Sequence, residues 1–458
     1  MVRIFNIFFP VRLVVLLLGE LTIICGSFTL AAVIHAGQFP HLVLNPPTPF
    51  LRILGLTALS ALALYYFDLY DIQLLQSRGE MFFRLLIVLG SITLLLCAIC
   101  FIRPGLVVDS NIYVLGIALL TVGLLFWRTV FFWLVRWPRL RERVYVLGVG
   151  ERASRLVEIL RTHTELGMEV VGWGGSLANS ATGRDEFGEQ LTALRKKYAI
   201  NRVIVALPDR RGVMPVRELL DLRLSNVAIE DATGTLEKIS GKIDIDALNP
   251  SWLIFSDGFR MSRGFRFLRA AIAFSLAFVC LLITLPLFPL IALAIKLSSP
   301  GQVFYKQERV GRNGKSFFCR KFRTMRADAE ADTGPTWAAD DDPRITPVGR
   351  FLRRCRLDEL PQLWNVLCGE MSFVGPRPER PEFVQWLNDA IPYYHIRHTV
   401  RPGITGWAQV NYPYGASLED AKEKLKYDLY HIKNMSLCFD LLIAFQTIKI
   451  VLFGRGAK

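Results

Sequence analysis

Acidic residues are in short supply in this chain. Forty Asp and Glu against 54 Lys and Arg leave a formal net charge of +14 over 458 residues. Histidine is scarcer still, at six, and the eight cysteines fall into no metal-binding spacing. His395 and His398 form an isolated H-x-x-H with no acidic or thiol partner nearby, which argues against zinc. Cys97 and Cys100 make a C-x-x-C, but inside an apolar run, where they read as small buried hydrophobes. Nothing indicates a disulfide framework. There is also no single polar basic tract: the arginines border apolar runs, so the positive charge does not point to nucleic acid. What the chain does have is apolar bulk. It is 52% hydrophobic with mean hydropathy +0.34, high for a soluble protein. Apolar bulk with basic flanks indicates a membrane protein working at the cytoplasmic face.

Four apolar runs occupy the first third: Leu13–Ala36, Phe50–Phe67, Met81–Ile102 and Tyr113–Val135. Each approaches or exceeds the roughly 20 residues that cross a ~30 Å hydrocarbon core. The first is too long for a cleavable signal peptide, and three more follow it. Arg3 and Arg12 precede the first run, and Arg78 and Arg84 flank the start of the third. Arg136, Arg139, Arg141 and Arg143 follow the fourth, whereas the loop HAGQFPHLVLNPPTP carries no charge. This bias predicts a cytoplasmic N-terminus, four crossings and a return to the cytoplasm after Val135.

From Arg143 the pattern changes. RVYVLGVG reads as a buried strand and ERASRLVEILRTH as a helix; MEVVGWGG and RVIVALPD read as further strands, with FGEQLTALRKKYAI a helix between them. The alternation predicts a small parallel, Rossmann-like α/β module. Its first turn, Gly148-Val149-Gly150-Glu151-Arg152-Ala153, is a G-x-G-x-x-A between strand and helix, a candidate nucleotide-binding turn. The second strand ends in GWGG and lacks the acid that would hold a ribose. A fold kept for structure or regulation is the preferred reading.

A further apolar stretch of about 26 residues, Ala270 to Ile295, is long enough to span, at ~39 Å. Arg263, Arg266 and Arg269 precede it, and Lys296 and Lys306 follow, so both ends favour the cytoplasm. Pro286 and Pro289 interrupt it, each removing a helix hydrogen bond. A kinked hairpin that re-enters one leaflet is therefore expected in place of a fifth span, which would strand the C-terminal third outside. The final stretch, SLCFDLLIAFQTIKIVLFGRGAK, fits a helix lying at the membrane surface or an ordinary core helix.

The segment RLDELPQLWNVLCGEMSFVGPRPER concentrates the chemistry. Pro361 suits a first helical turn, Leu360, Leu363, Trp364 and Leu367 recur at helical spacing, and Gly369 can end the helix. Asp358 and Glu359 are then expected at a helix N-terminus, where the macrodipole favours negative charge. The plain alternative is an N-cap carboxylate followed by a first-turn acid. The surroundings favour more than capping. Arg353, Arg354 and Arg356 crowd the acids and keep them ionised. Strand alternation in FFCRKFRTM puts Lys321 and Arg323 on one face, GPRP stiffens the backbone at Arg377, and Arg401 sits beside a Pro-Gly turn. Adjacent carboxylates amid phosphate-matching arginines suit a divalent metal and phosphoryl transfer, in which an aspartate can attack phosphorus.

On these residues the segment from about Arg263 to Lys458 resembles the monotopic phosphoglycosyl transferases, the bacterial sugar transferase family. KFRTM, RLDELPQLWNVL, MSFVGPRP, RPGITGWAQVN and YDLYHIKN occur in the family's order. The whole chain is similar to the long-form polyprenyl glycosylphosphotransferases of exopolysaccharide and O-antigen synthesis. The resemblance implies transfer of a sugar 1-phosphate from a nucleoside-diphosphate sugar, with a UDP-hexose the expected donor, to polyprenyl phosphate. It makes Asp358 the nucleophile and Glu359 a Mg²⁺ ligand. It makes Lys321, Arg323, Arg353, Arg377 and Arg401 candidate phosphate contacts, and Asp428 matches a family position of less defined role. It sets the hairpin kink at Leu285-Pro286, where the family has Ser-Pro. The implied partners are the two substrates and the membrane, with surface available for a homodimer. The implied location is the bacterial inner membrane, with the catalytic domain on the cytoplasmic face.

The expected organisation is a four-helix transmembrane region (1–138), the α/β module (139–255), the re-entrant helix (256–298) and an α/β monotopic catalytic domain (299–458). The competing class is a membrane-anchored NAD-dependent sugar-nucleotide modifying enzyme. Such enzymes use a Tyr-x-x-x-Lys pair, and the chain has none.

Overall fold

The computed structural model describes residues 2–4, 7–36, 47–70, 78–102, 110–135, 137, 141–163, 166–174, 198–207, 214–248, 258–259, 261–326, 329, 342–413, 415 and 417–453. The expected helix FGEQLTALRKKYAI falls outside these residues except at its last three positions. The chain divides into two compact units, Met1–Arg3 with Phe8–Thr235, and Ile4–Ile7 with Leu236–Lys458.

In the first unit the four apolar runs are helical: α1 (Val11–Ala36), α2 (Pro47–Tyr66), α3 (Arg78–Ile102) and α4 (Ser110–Val135). Ile24 and Phe28 of α1, Ile53 and Leu56 of α2, Leu85 and Val88 of α3, and Leu120 and Leu124 of α4 share one core. Glycines let α1 and α4 approach closely, because a Cβ on Gly19 would lie 2.2 Å from Trp127 and one on Gly116 2.5 Å from Phe28. An enclosed ion pair, Arg128 Nη2 to Glu20 Oε1 at 2.7 Å, joins the same two helices. Cys97, expected to be buried, lies on the exposed surface of α3, where an apolar side chain needs no polar partner if lipid covers it. Among the described residues, Val11–His35, Ile112–Val135 and Arg263–Thr284 are long and apolar enough to cross a membrane, while Ile53–Tyr66 and Leu287–Ser298 are shorter apolar helices.

The same unit holds a four-stranded parallel sheet built from β1 (Glu142–Leu147), β2 (Met168–Gly174), β3 (Arg202–Val205) and β4 (Ala228–Asp231), in the order β2-β1-β3-β4. Strands β1 and β3, buried and Val-rich, take the centre. Helix α5 (Glu151–Thr162) follows β1 and buries Ala153, Leu156, Val157 and Leu160, the 3.6-residue stripe visible in the sequence. Gly148 and Gly150, with φ of +139° and +103°, make the β1–α5 turn that a side chain would strain.

In the second unit, α7 (Arg263–Thr284) and α8 (Leu287–Ser298) are the two halves of the apolar stretch; the intervening helix of the first unit is α6 (Val216–Leu224). The break falls at Leu285-Pro286, as expected. Pro289 adds no second kink, because it sits in the first turn of α8, where its missing N–H has no partner to lose. α7 buries Ala273 and Ala277 against Phe317, Leu363 and Val366, and α8 buries Ile291 and Ile295 against Phe322 and Leu352. The other faces of both helices are exposed and apolar.

The remaining elements form a small α/β assembly on these helices. They are the antiparallel hairpin β5 (Phe304–Val310) and β6 (Ser316–Phe322), α9 (Pro347–Arg354), α10 (Gln362–Leu367), β7 (Ser372–Val374), α11 (Pro381–Ala390), β8 (Gly403–Thr405), α12 (Trp407–Asn411), α13 (Leu418–Lys433) and α14 (Leu437–Phe453). β7 and β8 pair in parallel. Buried Arg269 of α7 donates to Val374 O at 2.8 Å and pairs with Asp440 of α14, tying the apolar helix into this assembly. α14 buries Phe439 and Ile443 and exposes Leu441 and Ile448, so it has both a core face and an apolar outer face.

Gly349 tests the packing around α9. A Cβ there would lie 2.0 Å from Thr324 O, a backbone atom that cannot swing away. Gly349→Ala is expected to destabilise the second unit by about 1–3 kcal/mol, read as a lower thermal midpoint in detergent. Gly264→Ala, which meets nothing within 4 Å, should change it little.

Candidate active site

The two acids are delivered by a reversal of the chain. Helix α9 starts at Thr346, whose Oγ1 accepts from Gly349 N at 3.0 Å, and ends at Arg354. Arg356 then takes φ +57°, in the left-handed region, and sends the backbone into a single 3₁₀ turn, Leu357–Glu359. Pro361 caps α10. Asp358 and Glu359 thus sit on their own turn just ahead of α10 and not in its first turn, with Leu360 and Pro361 between. Leu357 and Leu360 anchor this turn by packing against the Ile291, Ile295, Phe322 and Leu352 cluster beneath. Leu360 also meets the Ala273 and Ala277 cluster, so both halves of the broken apolar helix support the acids.

Asp358 and Glu359 are each 7% exposed and line a cavity of about 380 Å³. Lys321, Arg323, Arg353, Arg356 and Arg377 line it as well. The cations divide unequally between the acids. Lys321 Nζ and Arg377 Nη2 both donate to Glu359 Oε1 at 2.9 Å, and Asp358 takes neither bond. Burial raises the Glu359 pKa, but Arg377 and Lys321 outweigh it and hold this carboxyl below the usual range. Burial, reinforced by the charge of Glu359, pushes Asp358 up, with Lys321, Arg353 and Arg377 opposing. Glu359 is held by two cations, and its neighbour Asp358 is not.

The other expected residues separate into distinct roles. Arg353 lines the cavity and donates Nε to Thr324 Oγ1 at 3.0 Å. Arg323 lies just past β6, and its guanidinium bonds Pro300 O and Ser299 O, both at 2.7 Å. It lines the cavity with Lys321 and also fastens the exit of α8. Asp428 of α13 also lines the cavity, but it is almost fully buried and pairs with Arg397 Nη2 at 2.9 Å. Arg401 is not among the lining residues; it lies beside Gly369, and burial, then Arg312 and Arg269, push its pKa down. Gly148 and Gly150 belong to the other unit.

Arg397 is the residue that sequence reasoning missed. Its Nε and Nη2 bind Asp428, Nη1 donates to Tyr394 Oη at 2.5 Å, and Nη2 donates to Arg377 O at 3.0 Å. Burial opposes its charge, but Tyr394 and Asp428 hold it ionised above the ordinary arginine value. It fixes the backbone of Arg377, which in turn grips Glu359. One signal was available: Asp428 shares a buried stripe with Leu425, Leu429 and Ile432, and a buried carboxylate needs a cation. The neighbouring His398 is pushed down to about 3 by burial and then Arg397, so it is neutral at physiological pH. Among the described residues, no cluster of three or more His, Cys, Asp or Glu could hold a metal; the carboxylates lining the cavity are Asp358, Glu359, Glu379 and Asp428.

The model of the bacterial sugar transferase family matches residues 265–454. The chain is 40% identical over 242 residues to the UDP-N-acetylgalactosamine-undecaprenyl-phosphate N-acetylgalactosaminephosphotransferase of Aeromonas hydrophila, covering 53% of this chain and 56% of that relative, just over half its length. It is 36% identical over 315 residues to the UDP-glucose:undecaprenyl-phosphate glucose-1-phosphate transferase of Escherichia coli (strain K12), covering 67% of each chain. It is 43% identical over 173 residues to the exopolysaccharide production protein PSS of Rhizobium leguminosarum bv. phaseoli, covering 37% of this chain and 86% of that protein.

Arg397→Met would leave Asp428 buried without its cation, which costs about 3–5 kcal/mol. Chemical denaturation should record that loss, and Arg397→Met combined with Asp428→Leu should recover most of it. A double variant no better than the single one would mean the pair is not coupled.

Proposed function

The chain belongs to the bacterial sugar transferase family, and from that footing we propose that it transfers a sugar 1-phosphate from a nucleoside-diphosphate sugar to polyprenyl phosphate, the first membrane step of exopolysaccharide assembly. Both donors in the relatives' names are UDP-sugars, one a hexose and one an N-acetylated hexosamine, which makes UDP-sugars the donor class to try first. The observation that carries the reading is the uneven pairing: Glu359 absorbs the ion pairs of Lys321 and Arg377, and Asp358 faces the cavity without them.

The reaction runs in two displacements. A carboxylate oxygen of Asp358 attacks the sugar-bearing phosphorus, and the bond to the bridging oxygen breaks. Nucleoside monophosphate leaves with that electron pair, and an acyl phosphate joins Asp358 to the phosphosugar. A phosphate oxygen of the lipid then attacks the same phosphorus, and the acyl bond breaks to restore the carboxylate. Lys321, Arg353 and Arg377 bind and orient the diphosphate, with Arg397 positioning Arg377. Mg²⁺ matches the site in kind, since it takes hard carboxylate oxygens and draws its remaining ligands from phosphate and water. Glu359 would hold it, and its charge would offset that of the diphosphate.

The same reading places α1–α4 across the inner membrane and the catalytic unit at the cytoplasmic face. α7 and α8 then dip into one leaflet and return at the Leu285-Pro286 break. The exposed apolar faces of both halves and the basic residues at both ends support this arrangement.

Incubation with radiolabelled sugar nucleotide and no lipid should trap one covalent label per chain, absent in Asp358→Asn. Release of monophosphate without protein labelling would exclude the two-step route. The pH dependence follows from Asp358, whose pKa lies above the ordinary carboxylate value and whose ionised form attacks. Single-turnover monophosphate release should therefore fall as pH drops through a limb above the usual carboxylate range. Arg353→Gln removes a cation that favours the ionised form, so its limb should move further up. An unmoved limb would show that another group titrates.

A further inference from the structure

Just past β6 the chain makes one further antiparallel bridge, Met325 with Ile345. Arg326 N donates to Arg344 O, and Thr346 N donates to Thr324 O, both at 3.0 Å. Across such a bridge the side chains of Thr324, Arg326 and Arg344 stand on one face. All three residues line the cavity, and Thr324 Oγ1 accepts from Arg353 Nε at 3.0 Å. The bridge therefore fixes the Arg326 backbone at the cavity wall, directly opposite Arg344 and close to the anchor of Arg353.

Like charges directly opposite each other are unfavourable unless an anion stands beside them. Arg344 has its anion: Asp342 accepts Nε at 2.8 Å and Nη2 at 2.5 Å. Other lining cations are held as well, Lys321 and Arg377 by Glu359 and Arg397 by Asp428. Arg326 differs. It is exposed, and among the described residues its guanidinium has no hydrogen-bond or ion-pair partner. A guanidinium on a fixed backbone, with its donors unused, is matched to an incoming oxyanion that accepts two parallel bonds.

We propose that Arg326 is a further substrate-binding residue of this site, and that it takes a phosphate group arriving at the cavity. The inference rests on the transfer reaction proposed above, in which Arg326 had no part. Both substrates of that reaction carry the required chemistry, the sugar nucleotide as a diphosphate and the lipid as a single phosphate. Lys321 and Arg377 are already partly neutralised by Glu359, so an unpaired cation on the same cavity answers the charge that the substrates bring. The two half-reactions present the two phosphate sources one at a time.

The full-length protein in detergent gives the test. Formation of the labelled adduct is measured against sugar nucleotide alone, and discharge of pre-formed adduct against polyprenyl phosphate. Arg326→Gln should raise the half-saturating concentration in at least one of them about tenfold, the size of a lost charge-assisted hydrogen bond. A rise in formation assigns Arg326 to the donor diphosphate, and a rise in discharge assigns it to the lipid phosphate. Arg326→Lys, which keeps the charge without the fork, should fall between wild type and Arg326→Gln. The gap between wild type and Arg326→Gln should narrow as salt is added, because an exposed charge is screened. The thermal midpoint should not move, since the guanidinium holds no other residue. Unchanged half-saturation in both half-reactions would overturn the assignment. Wild-type protein that transfers sugar phosphate without ever forming an adduct would instead remove the two-step reading. Steady-state KM values for the two substrates then decide on Arg326 by themselves, a rise in either supporting it and a rise in neither overturning it.

Discussion

The site depends on Glu359 Oε1 accepting two cations. Lys321 reaches it from β6 and Arg377 from the Gly-Pro-Arg-Pro loop, each at 2.9 Å. Two adjacent buried carboxylates cannot share a dry pocket without neutralisation, since each raises the cost of ionising the other. Giving both cations to one acid resolves the conflict asymmetrically. Glu359 stays charged and fixed, while Asp358 keeps a raised pKa and a side chain free of ion pairs. The nucleophilic role proposed for Asp358 would be served by that freedom.

Support for this pairing comes from two directions. Arg397, locked by Asp428 and Tyr394, holds the Arg377 carbonyl and so sets where that guanidinium can reach. From below, Leu357 and Leu360 seat the acidic turn on the cores made by the two halves of the broken apolar helix. The broken apolar helix is thus part of the scaffold beneath the acid pair. Arg269 and Arg323 reinforce the same junction, one through Asp440 and Val374, the other through the carbonyls that follow α8. For the transfer proposed above, this coupling would let the depth of the helix set the height of Asp358.

Much of this was legible in the residues. Hydropathy located the apolar helices, since a run of 20 or more apolar side chains has few other stable states. Pro286 marked the break because a missing N–H is a local fact. Asp358 and Glu359 stood out through their adjacency and the arginines around them. Arg323 and Asp428 were found by type but not by role. Each has a chemistry visible in one letter of sequence and a partner 23 to 31 residues away, which no local period reports. Arg397 was obscured for the same reason: it sits on a 3₁₀ turn between two histidines, and its carboxylate lies on another helix.

The sequence by itself determined where the chain is apolar, where its helices must break and which short segment could carry phosphoryl chemistry, because these follow from side-chain type and spacing along one stretch of backbone. Only the tertiary structure decided which acid the cations pair with and which arginines line the cavity. Those outcomes turn on distances of about 3 Å between residues far apart in the chain, where charge, burial and hydrogen-bond geometry act together.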